Sequence, residues 1–317
     1  MQLDFIKNTS GPKRILLYTL PASLLILLIC LVSLLFVQLL GKAPADGPST
    51  DPGNNTSGGS KIVYTSLPVS SGDIYVKGSL RIVNTQTKIQ VYPNDTSLLK
   101  INENKTESYQ IKPDRGVLRL DREALIAFNA MMDAYFLETG DDSTLITSAY
   151  RTEAEQAALH TSKVEAGFSD HHLALSLALK SKVNNVESAI TSDHWIFKNG
   201  HEYGFIQRYP EGKEDSTLDP QRYFECARYV GVPHATYMKE NDLCLEEYVE
   251  LLKGYTYDGT HLSVTAGGTE YEIYYVPATN PADANAVTQL PVPENAEYSY
   301  SGNNTDGFIV TVTKPAA

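Results

Sequence analysis

The chain has 317 residues and a formal net charge of −12, with 42% hydrophobic and 20% charged residues. These proportions are typical of a packed fold and exclude a wholly disordered chain. The acidic balance argues against a general nucleic-acid binder, because phosphate backbones repel such a surface. The three cysteines are Cys30, Cys226 and Cys244, which excludes both a disulfide-stapled small fold and a four-cysteine zinc module.

Residues 15–40 form an apolar run without a charged residue. A helix needs about 20 apolar residues to cross bilayer hydrocarbon, whereas the apolar core of a cleaved signal peptide has about 7–15. We therefore predict a transmembrane anchor over residues 15–40, with a cleaved signal peptide as the alternative. Lys7, Lys13 and Arg14 precede the run, so the positive-inside rule predicts a cytoplasmic segment 1–14 and an extracellular C-terminal domain on a single-pass cell-membrane protein.

Two stretches of different composition follow the apolar run. Residues 41–60 are rich in Gly, Pro, Ser and Asn, which is typical of a flexible linker. Residues 61–115 contain short β-type runs interrupted by Pro, Asn and Gly, and predict a strand-rich lead-in. The runs that we assign as strands are residues 61–65, 74–76 and 80–83.

From Asp121 onward the apolar spacing changes to that of a helix. The apolar residues of this helix face are Leu125, Phe128, Met132 and Phe136. Asp121 is the predicted N-cap and Gly140 the predicted stop. Further elements follow in order: a strand at 144–150, a helix from Glu153 fading at Gly167, a strand through the leucines of 173–179, a helix capped by Ser192, strands at 205–209 and 227–230, and a helix at 245–252 that ends at Gly254.

The last residues have a different pattern again. Residues 271–276 and 307–313 are β-rich, and a turn cluster occupies 303–307. We predict an α+β fold, with a core of helices packed on a small antiparallel sheet over residues 116–253. A small C-terminal β-module over residues 254–317 follows that core.

Three stretches of the predicted core carry a specific set of motifs in a fixed order. They are Ser148-Ala149-Tyr150-Arg151 with Gln156, then Ser169-Asp170-His171-His172-Leu173-Ala174-Leu175, and last the set Tyr203-Gly204-Phe205, Arg228-Tyr229-Val230-Gly231 and Leu245-Glu246-Glu247-Tyr248. Together they resemble the VanY-like D-alanyl-D-alanine carboxypeptidases, zinc peptidases that trim D-Ala from peptidoglycan stem peptides. The resemblance spans about residues 116–253.

The resemblance implies roles for several residues of this chain. Arg151 matches the family arginine, which grips the terminal carboxylate of the substrate, and Gln156 and Ser148 accompany it as substrate-binding residues. His171 matches the first zinc ligand. Such a peptidase needs three protein ligands to zinc, an open position for water, and a carboxylate that accepts the proton of that water.

The remaining catalytic positions of the family carry other residue types here. The second zinc ligand, an aspartate, falls on Ala178, and the third, a histidine, falls on Cys226. The catalytic glutamate falls on Tyr223, whose unperturbed pKa near 10 suits a general base poorly at neutral pH. We therefore predict a pseudoenzyme with no intact catalytic residue, no cofactor and only a residual metal position at His171.

Alternative interpretations exist for the residues around these positions. Cys226 is a possible zinc ligand together with His171 and an unidentified third group, a disulfide partner of Cys244, or a buried hydrophobe. His171 and His172 point to opposite faces if the segment is extended, so both are not expected to reach one metal. Glu225, one residue before Cys226 in a predicted strand, is expected to face away from the site.

Three functions compete on these observations. The first is a membrane-tethered, non-catalytic module that binds a peptidoglycan stem peptide or an envelope protein through Arg151. The second is an active D-alanyl-D-alanine metallocarboxypeptidase with a rebuilt zinc site. The third is a structural or assembly role in the cell envelope, with the β-module or the lead-in as the working surface.

Overall fold

The computed structural model describes residues 62–159, 163–218 and 224–315. The predicted cytoplasmic segment, transmembrane anchor and linker lie outside the described residues, as does Tyr223. The described residues all belong to one compact unit. Within the described ranges, no helix combines the length and the apolar character that crossing a bilayer requires.

The described residues form a mixed α+β fold of short elements. The strands are β1 (Tyr64–Ser70), β2 (Leu99–Lys100), β3 (Gln110–Ile111), β4 (Arg119–Leu120), β5 (Thr144–Ser148), β6 (Ser176–Val183), β7 (Val186–Ala189), β8 (Phe205–Gln207), β9 (Cys226–Tyr229), β10 (Leu262–Ala266), β11 (Thr269–Pro277), β12 (Val287–Pro293), β13 (Tyr298–Gly302) and β14 (Gly307–Thr313). The α-helices are α1 (Ile101–Asn104), α2 (Arg122–Thr139), α3 (Glu153–Ala157), α4 (Trp195–Asn199), α5 (Glu214–Thr217), α6 (Val232–Glu240) and α7 (Leu245–Leu252).

Helix α2 confirms the predicted long helix and both of its ends. Asp121 Oδ1 accepts hydrogen bonds from the backbone N–H groups of the first turn, and Gly140 ends the helix in the left-handed conformation at φ 72°. The predicted apolar face is wrong at its last position, because Phe136 is exposed and Tyr135 is buried instead. Position 135 lies three residues after Met132, so it continues the same face as closely as position 136 does.

Helix α2 packs against the largest sheet of the fold. Its strand order is β3-β5-β6-β9-β8, with β7 added as a hairpin partner of β6. The β3–β5 pair is parallel and the other pairs are antiparallel. The predicted helix core on a small, mainly antiparallel sheet is therefore confirmed in outline. Phe128 on α2 and Leu177 and Leu179 on β6 belong to one buried cluster.

The C-terminal residues form a second, antiparallel sheet of order β10-β11-β14-β13. Both predicted strands are present, and β14 has the predicted bounds. Strand β12 pairs instead with β1, so that Tyr64 in the lead-in lies opposite Pro293 in the β-module. The division into lead-in, core and β-module stays a prediction, although this pairing joins the first and last of them.

The lead-in differs from its prediction in secondary structure. Residues Ser71–Tyr75 form a 3-10 helix, and residues 80–83 form no regular element. Leu80 is nevertheless fully buried. The Arg228 guanidinium donates to the carbonyl of Ser79 at 2.8 Å and to that of Arg81 at 3.0 Å. A buried side chain thus satisfies backbone groups that a neighbouring strand would otherwise have to pair.

Several elements of the core differ from their predicted bounds. Helix α3 is a single short element, and a Thr152–Glu155 capping box stabilises its N-terminus. Helix α4 has His194 rather than Ser192 as its N-cap. Helix α6 has no sequence prediction. Helix α7 has the predicted bounds, Leu245–Leu252.

Candidate functional site

A cavity of about 290 Å³ opens on one face of the largest sheet. All the family positions that the structure describes line it together: Ser148, Arg151, Gln156, His171, Ala178 and Cys226. These six residues come from β5, the connection between β5 and α3, α3, the segment before β6, β6 itself and β9. The sequence motifs therefore converge on one site in the fold.

The sheet register explains why three of these residues meet. Ser148 on β5 lies directly opposite Ala178 on β6, and Ala178 lies directly opposite Cys226 on β9. Side chains directly opposite on neighbouring strands have Cβ atoms about 4.5–5.5 Å apart. The three residues thus form a row across the sheet at the floor of the cavity.

Ser148 and Gln156, the two other predicted substrate-binding residues, hold the Arg151 side chain in the cavity through hydrogen bonds. Its Nε donates to Ser148 Oγ at 2.9 Å, and its Nη1 donates to Gln156 Oε1 at 2.7 Å. Gln156 is 2% exposed and donates in turn to the carbonyl of Val164 at 2.9 Å. A guanidinium with two of its five N–H groups bound to fixed acceptors has few orientations left, so the fork of Arg151 is preorganised.

The segment that carries His171 is a turn and not an extended strand. Residues Asp170–Leu173 form a 3-10 helix that ends at Ala174, in the left-handed conformation at φ 58°. The extended geometry expected for His171 and His172 is therefore wrong. His171 lines the cavity, whereas the ring of His172 lies between Gly167 and the backbone of Arg151.

His172 fixes the backbone that carries Arg151. Its Nε2 accepts from the Gly167 N–H at 3.0 Å, so its Nδ1 carries the proton and donates to the Arg151 carbonyl at 2.7 Å. Burial is the main cause that lowers the pKa of His172, which favours this neutral form. His172 is thus a positioning residue for Arg151, a role that the sequence pattern did not indicate.

A cluster of buried ion pairs stabilises the Asp170–Leu173 turn that carries His171. Asp170 contacts Arg228 closely and accepts from Arg208 Nε at 3.1 Å, while Arg208 Nη2 donates to Glu246 at 2.6 Å. The side chains of both arginines are fully buried. Burial alone would raise the pKa of Asp170, but Arg228 and Arg208 outweigh it and lower the pKa to about 2. Asp170 is therefore a carboxylate at every physiological pH.

His171 and Cys226, two potential metal donors of the cavity, are both neutral. Burial, followed by the Arg151 charge, lowers the pKa of His171 well below its usual value. The buried Nδ1 of His171 has no hydrogen-bond partner among the described residues. Burial raises the pKa of the Cys226 thiol to about 12. Cys226 and Cys244 are both free and buried, so they form no disulfide.

The described residues do not fit a three-ligand zinc ion. His171 and Cys226 are two donors, and the methyl group of Ala178 at the intervening position coordinates nothing. In the part of the chain that the structure describes, no group of three His, Cys, Asp or Glu side chains lies close enough to hold a metal.

Glu225 also lines the cavity, although the sequence interpretation placed it on the opposite face. Strand β9 begins only at Cys226, so Glu225 lies in the preceding turn, where strand alternation does not apply.

The cavity wall is basic although the chain is acidic. Lys112, Arg115 and Lys180 line it together with Arg151, and Glu225 is the acidic residue among its described lining residues. Glu187, next to the cavity, accepts from Lys112 at 2.8 Å and lies 3.6 Å from Lys180. The sequence analysis did not select these residues, because a basic wall depends on which charges the fold brings together.

Comparisons with known proteins show what the core of this chain is similar to. Residues 117–221 match the family model VanY: D-alanyl-D-alanine carboxypeptidase. A D-alanyl-D-alanine carboxypeptidase of Enterococcus faecium is 40% identical over 173 residues, which cover 53% of this chain and 53% of the relative. Putative carboxypeptidase YodJ of Bacillus subtilis (strain 168) is 30% identical over 164 residues, covering 46% of this chain and 58% of the relative.

A solved structure shares most of the fold. The crystal structure of vancomycin resistance D,D-dipeptidase VanXYg in complex with a D-Ala-D-Ala phosphinate analog matches with a TM-score of 0.64 and 25% identity. The match covers 79% of this chain and 99% of that one. The chain spans about half the length of the curated relatives that it matches. The core residues of this chain are therefore similar to the VanY-like D-alanyl-D-alanine carboxypeptidases, and the family model matches them over residues 117–221.

Proposed function

We propose that this chain is a non-catalytic binding module that holds the C-terminal carboxylate of a peptide in the Arg151 cavity. The observation that carries the proposal is a contrast within one cavity. Arg151 is fixed by Ser148 and Gln156, whereas the family metal positions beside it hold Ala178 and Cys226. The predicted substrate-binding residues are thus present, whereas the predicted metal-binding positions carry other residue types.

The charge distribution supports a carboxylate as the ligand. An arginine fork binds a carboxylate through two parallel N–H bonds, and the basic wall lowers the energy of an anion inside the cavity. The matched relatives are named D-alanyl-D-alanine carboxypeptidases, and VanXYg was solved with a D-Ala-D-Ala analog. We therefore propose a peptidoglycan stem peptide that ends in D-Ala-D-Ala as the ligand.

Calorimetric titration with a stem pentapeptide tests this proposal. The wild-type protein should bind the peptide with a free C-terminus and should lose affinity for the same peptide with an amidated C-terminus. Arg151→Met should weaken binding by about 30-fold or more, since truncating one partner of a desolvated charge pair costs at least about 2 kcal/mol. Arg151→Lys keeps the charge but loses the fork, so its affinity should be intermediate.

Arg119→Met is the matched control. Arg119 forms an exposed ion pair with Asp95 and is not among the residues that line the cavity. Its replacement should leave peptide affinity unchanged. Equal binding of the amidated peptide, or equal affinity of the Arg151→Met and wild-type proteins, would show that the cavity does not recognise a terminal carboxylate through Arg151.

The same proposal includes the location of the module. The uncharged run at residues 15–40 and the basic residues before it support a single-pass anchor with an extracellular C-terminal domain. Protease added to intact protoplasts should then remove the C-terminal domain, and alkaline carbonate should leave the full-length chain in the membrane fraction. A chain that carbonate extracts, or that protease cannot reach, contradicts this topology.

The cavity also favours one alternative, a carboxypeptidase with a rebuilt zinc site. His171 Nδ1 has no partner, and Cys226 and Glu225 share the cavity with it. Because no three such groups of the described residues lie close enough as they stand, this alternative requires Glu225 to turn toward the other two. It predicts about one zinc per purified chain, lost in His171→Ala; a zinc-free protein eliminates it.

A further inference from the structure

A second cavity, of about 400 Å³, lies between the lead-in, the start of helix α2 and the C-terminal sheet. It shares no lining residue with the Arg151 cavity. Arg81 in its wall is only 6% exposed. Its Nε donates to the Gly78 carbonyl at 3.1 Å and its Nη1 to the Tyr75 carbonyl at 3.2 Å, and both acceptors are neutral.

Arg81 differs in this respect from the other buried arginines. Arg208 and Arg228 each contact the Asp170 carboxylate, whereas no carboxylate of the described residues lies within 4.0 Å of Arg81. Leaving a buried charge without an opposite charge costs several kcal/mol, which is why buried ions are normally paired. Burial, followed by repulsion from Arg228, lowers the pKa of Arg81 to about 10, and the more distant charges of Asp121 and Asp170 offset this only in part.

The same cavity has acidic groups at the start of helix α2. Asp121 and Glu123 line it, beyond salt-bridge distance of Arg81. Asp121 uses Oδ1 to cap the helix, which leaves Oδ2 without a hydrogen bond to a described residue. Burial, followed by the charges of Glu123 and Asp121, raises the pKa of Tyr229 to about 12, so its hydroxyl is neutral. Arg122, which also lines the cavity, is solvent-exposed.

We propose that this cavity binds a free α-amino acid, with its carboxylate on Arg81 and its ammonium group at Asp121 and Glu123. A zwitterion places a carboxylate beside Arg81 and an ammonium group beside Asp121 and Glu123 with one small molecule. A phosphate dianion would meet the two carboxylates as like charges, and a simple carboxylate would bring no cation to the acidic groups. The cavity volume lies in the usual range for small-molecule sites.

Thermal unfolding of the full-length chain in detergent micelles, at constant ionic strength, tests the proposal. Millimolar glycine, L-alanine or D-alanine should each raise Tm in a saturable way, because a ligand that binds only the folded state stabilises it. Sodium acetate, methylammonium chloride and sodium phosphate, which each carry only one kind of charge, should not. Acetate or phosphate effects equal to that of glycine would overturn the zwitterion assignment, and no effect of any amino acid would overturn the site.

Two variants and one control locate the bound molecule. Arg81→Met should abolish the Tm rise, and Arg119→Met should retain it, since Arg119 lines neither cavity. Glu123→Gln changes an exposed residue and should not disturb folding, so it gives a readout even if Arg81→Met is unstable. Its Kd for glycine, measured by calorimetry, should rise at least about 3-fold through the loss of one opposite charge. An unchanged Kd in Glu123→Gln would refute the ammonium position.

Discussion

The buried pairing of Asp170 with Arg228 should be one of the largest single contributions of charge to the stability of this fold. Asp170→Asn keeps the shape of the side chain and removes its charge. Arg208 still faces Glu246 after this change, but Arg228 has no other carboxylate among the ion pairs of the described residues. The substitution therefore leaves one fully buried guanidinium without an opposite charge.

Two estimates of the lost unfolding free energy, one from the broken ion pair and one from the pKa of Asp170, have a similar magnitude. Breaking a buried ion pair by removing one partner costs about 3–5 kcal/mol. A carboxyl whose pKa falls from about 3.9 in the unfolded chain to about 2 in the folded protein contributes about 2–3 kcal/mol at neutral pH. Because the folded pKa is the lower one, this contribution is present above pH 4 and is lost as the pH falls toward 2.

Urea unfolding of the wild-type protein and the variant measures the loss directly. Asp170→Asn should lower the unfolding free energy by about 3–5 kcal/mol with an unchanged denaturant slope, and should lower Tm by about 6–20 °C. Asp95→Asn is the matched control, since Asp95 pairs with Arg119 at 3.1 Å on the exposed surface. Its cost should stay within about 0–1 kcal/mol. A cost of Asp170→Asn no larger than that of the control would refute the reasoning.

Three further predictions concern protonation, thiols and metal. Burial lowers the pKa of His234 to about 3, so as the pH falls the unfolded chain binds this proton before the folded protein does. The unfolding free energy should therefore decrease below pH 6.5, by up to about 1.4 kcal/mol per pH unit for this group. Urea unfolding of His234→Gln at several pH values should lack this part of the pH dependence. Burial raises the pKa of Cys226 to about 12 and that of Cys244 to about 11, so a thiol reagent at pH 8 should label both only in denaturant, and labelling of either in the folded protein would contradict their burial. The double variant Ala178→Asp, Cys226→His should bind about one zinc per chain together with His171, because the register places positions 178 and 226 opposite each other. Elemental analysis that finds no zinc in this variant would contradict the proposal that Ala178 and Cys226 are the reason for the missing zinc site.

The sequence by itself determined the elements that depend on local signals. Helix α2 begins at an Asp121 cap and ends at Gly140, and both signals act within one turn of the chain. Helix α7 and strand β14 likewise have the bounds that their apolar spacing predicts. The ordered motifs predicted the residues that converge on the Arg151 cavity, because each motif has a fixed place in the strand register.

Only the tertiary structure decided which groups are buried, paired or left unpaired. Residues 80–83 look like a strand in the sequence, yet the Arg228 guanidinium takes the place of a strand partner. Glu225 enters the cavity because it lies in the turn before β9, where the alternation of side chains along a strand does not apply. Arg81 is a buried cation with no carboxylate of the described residues within 4.0 Å, and nothing in its neighbouring residues in the sequence indicates this. Burial and charge pairing depend on atoms that are distant in the chain, and those distances exist only after the fold has formed.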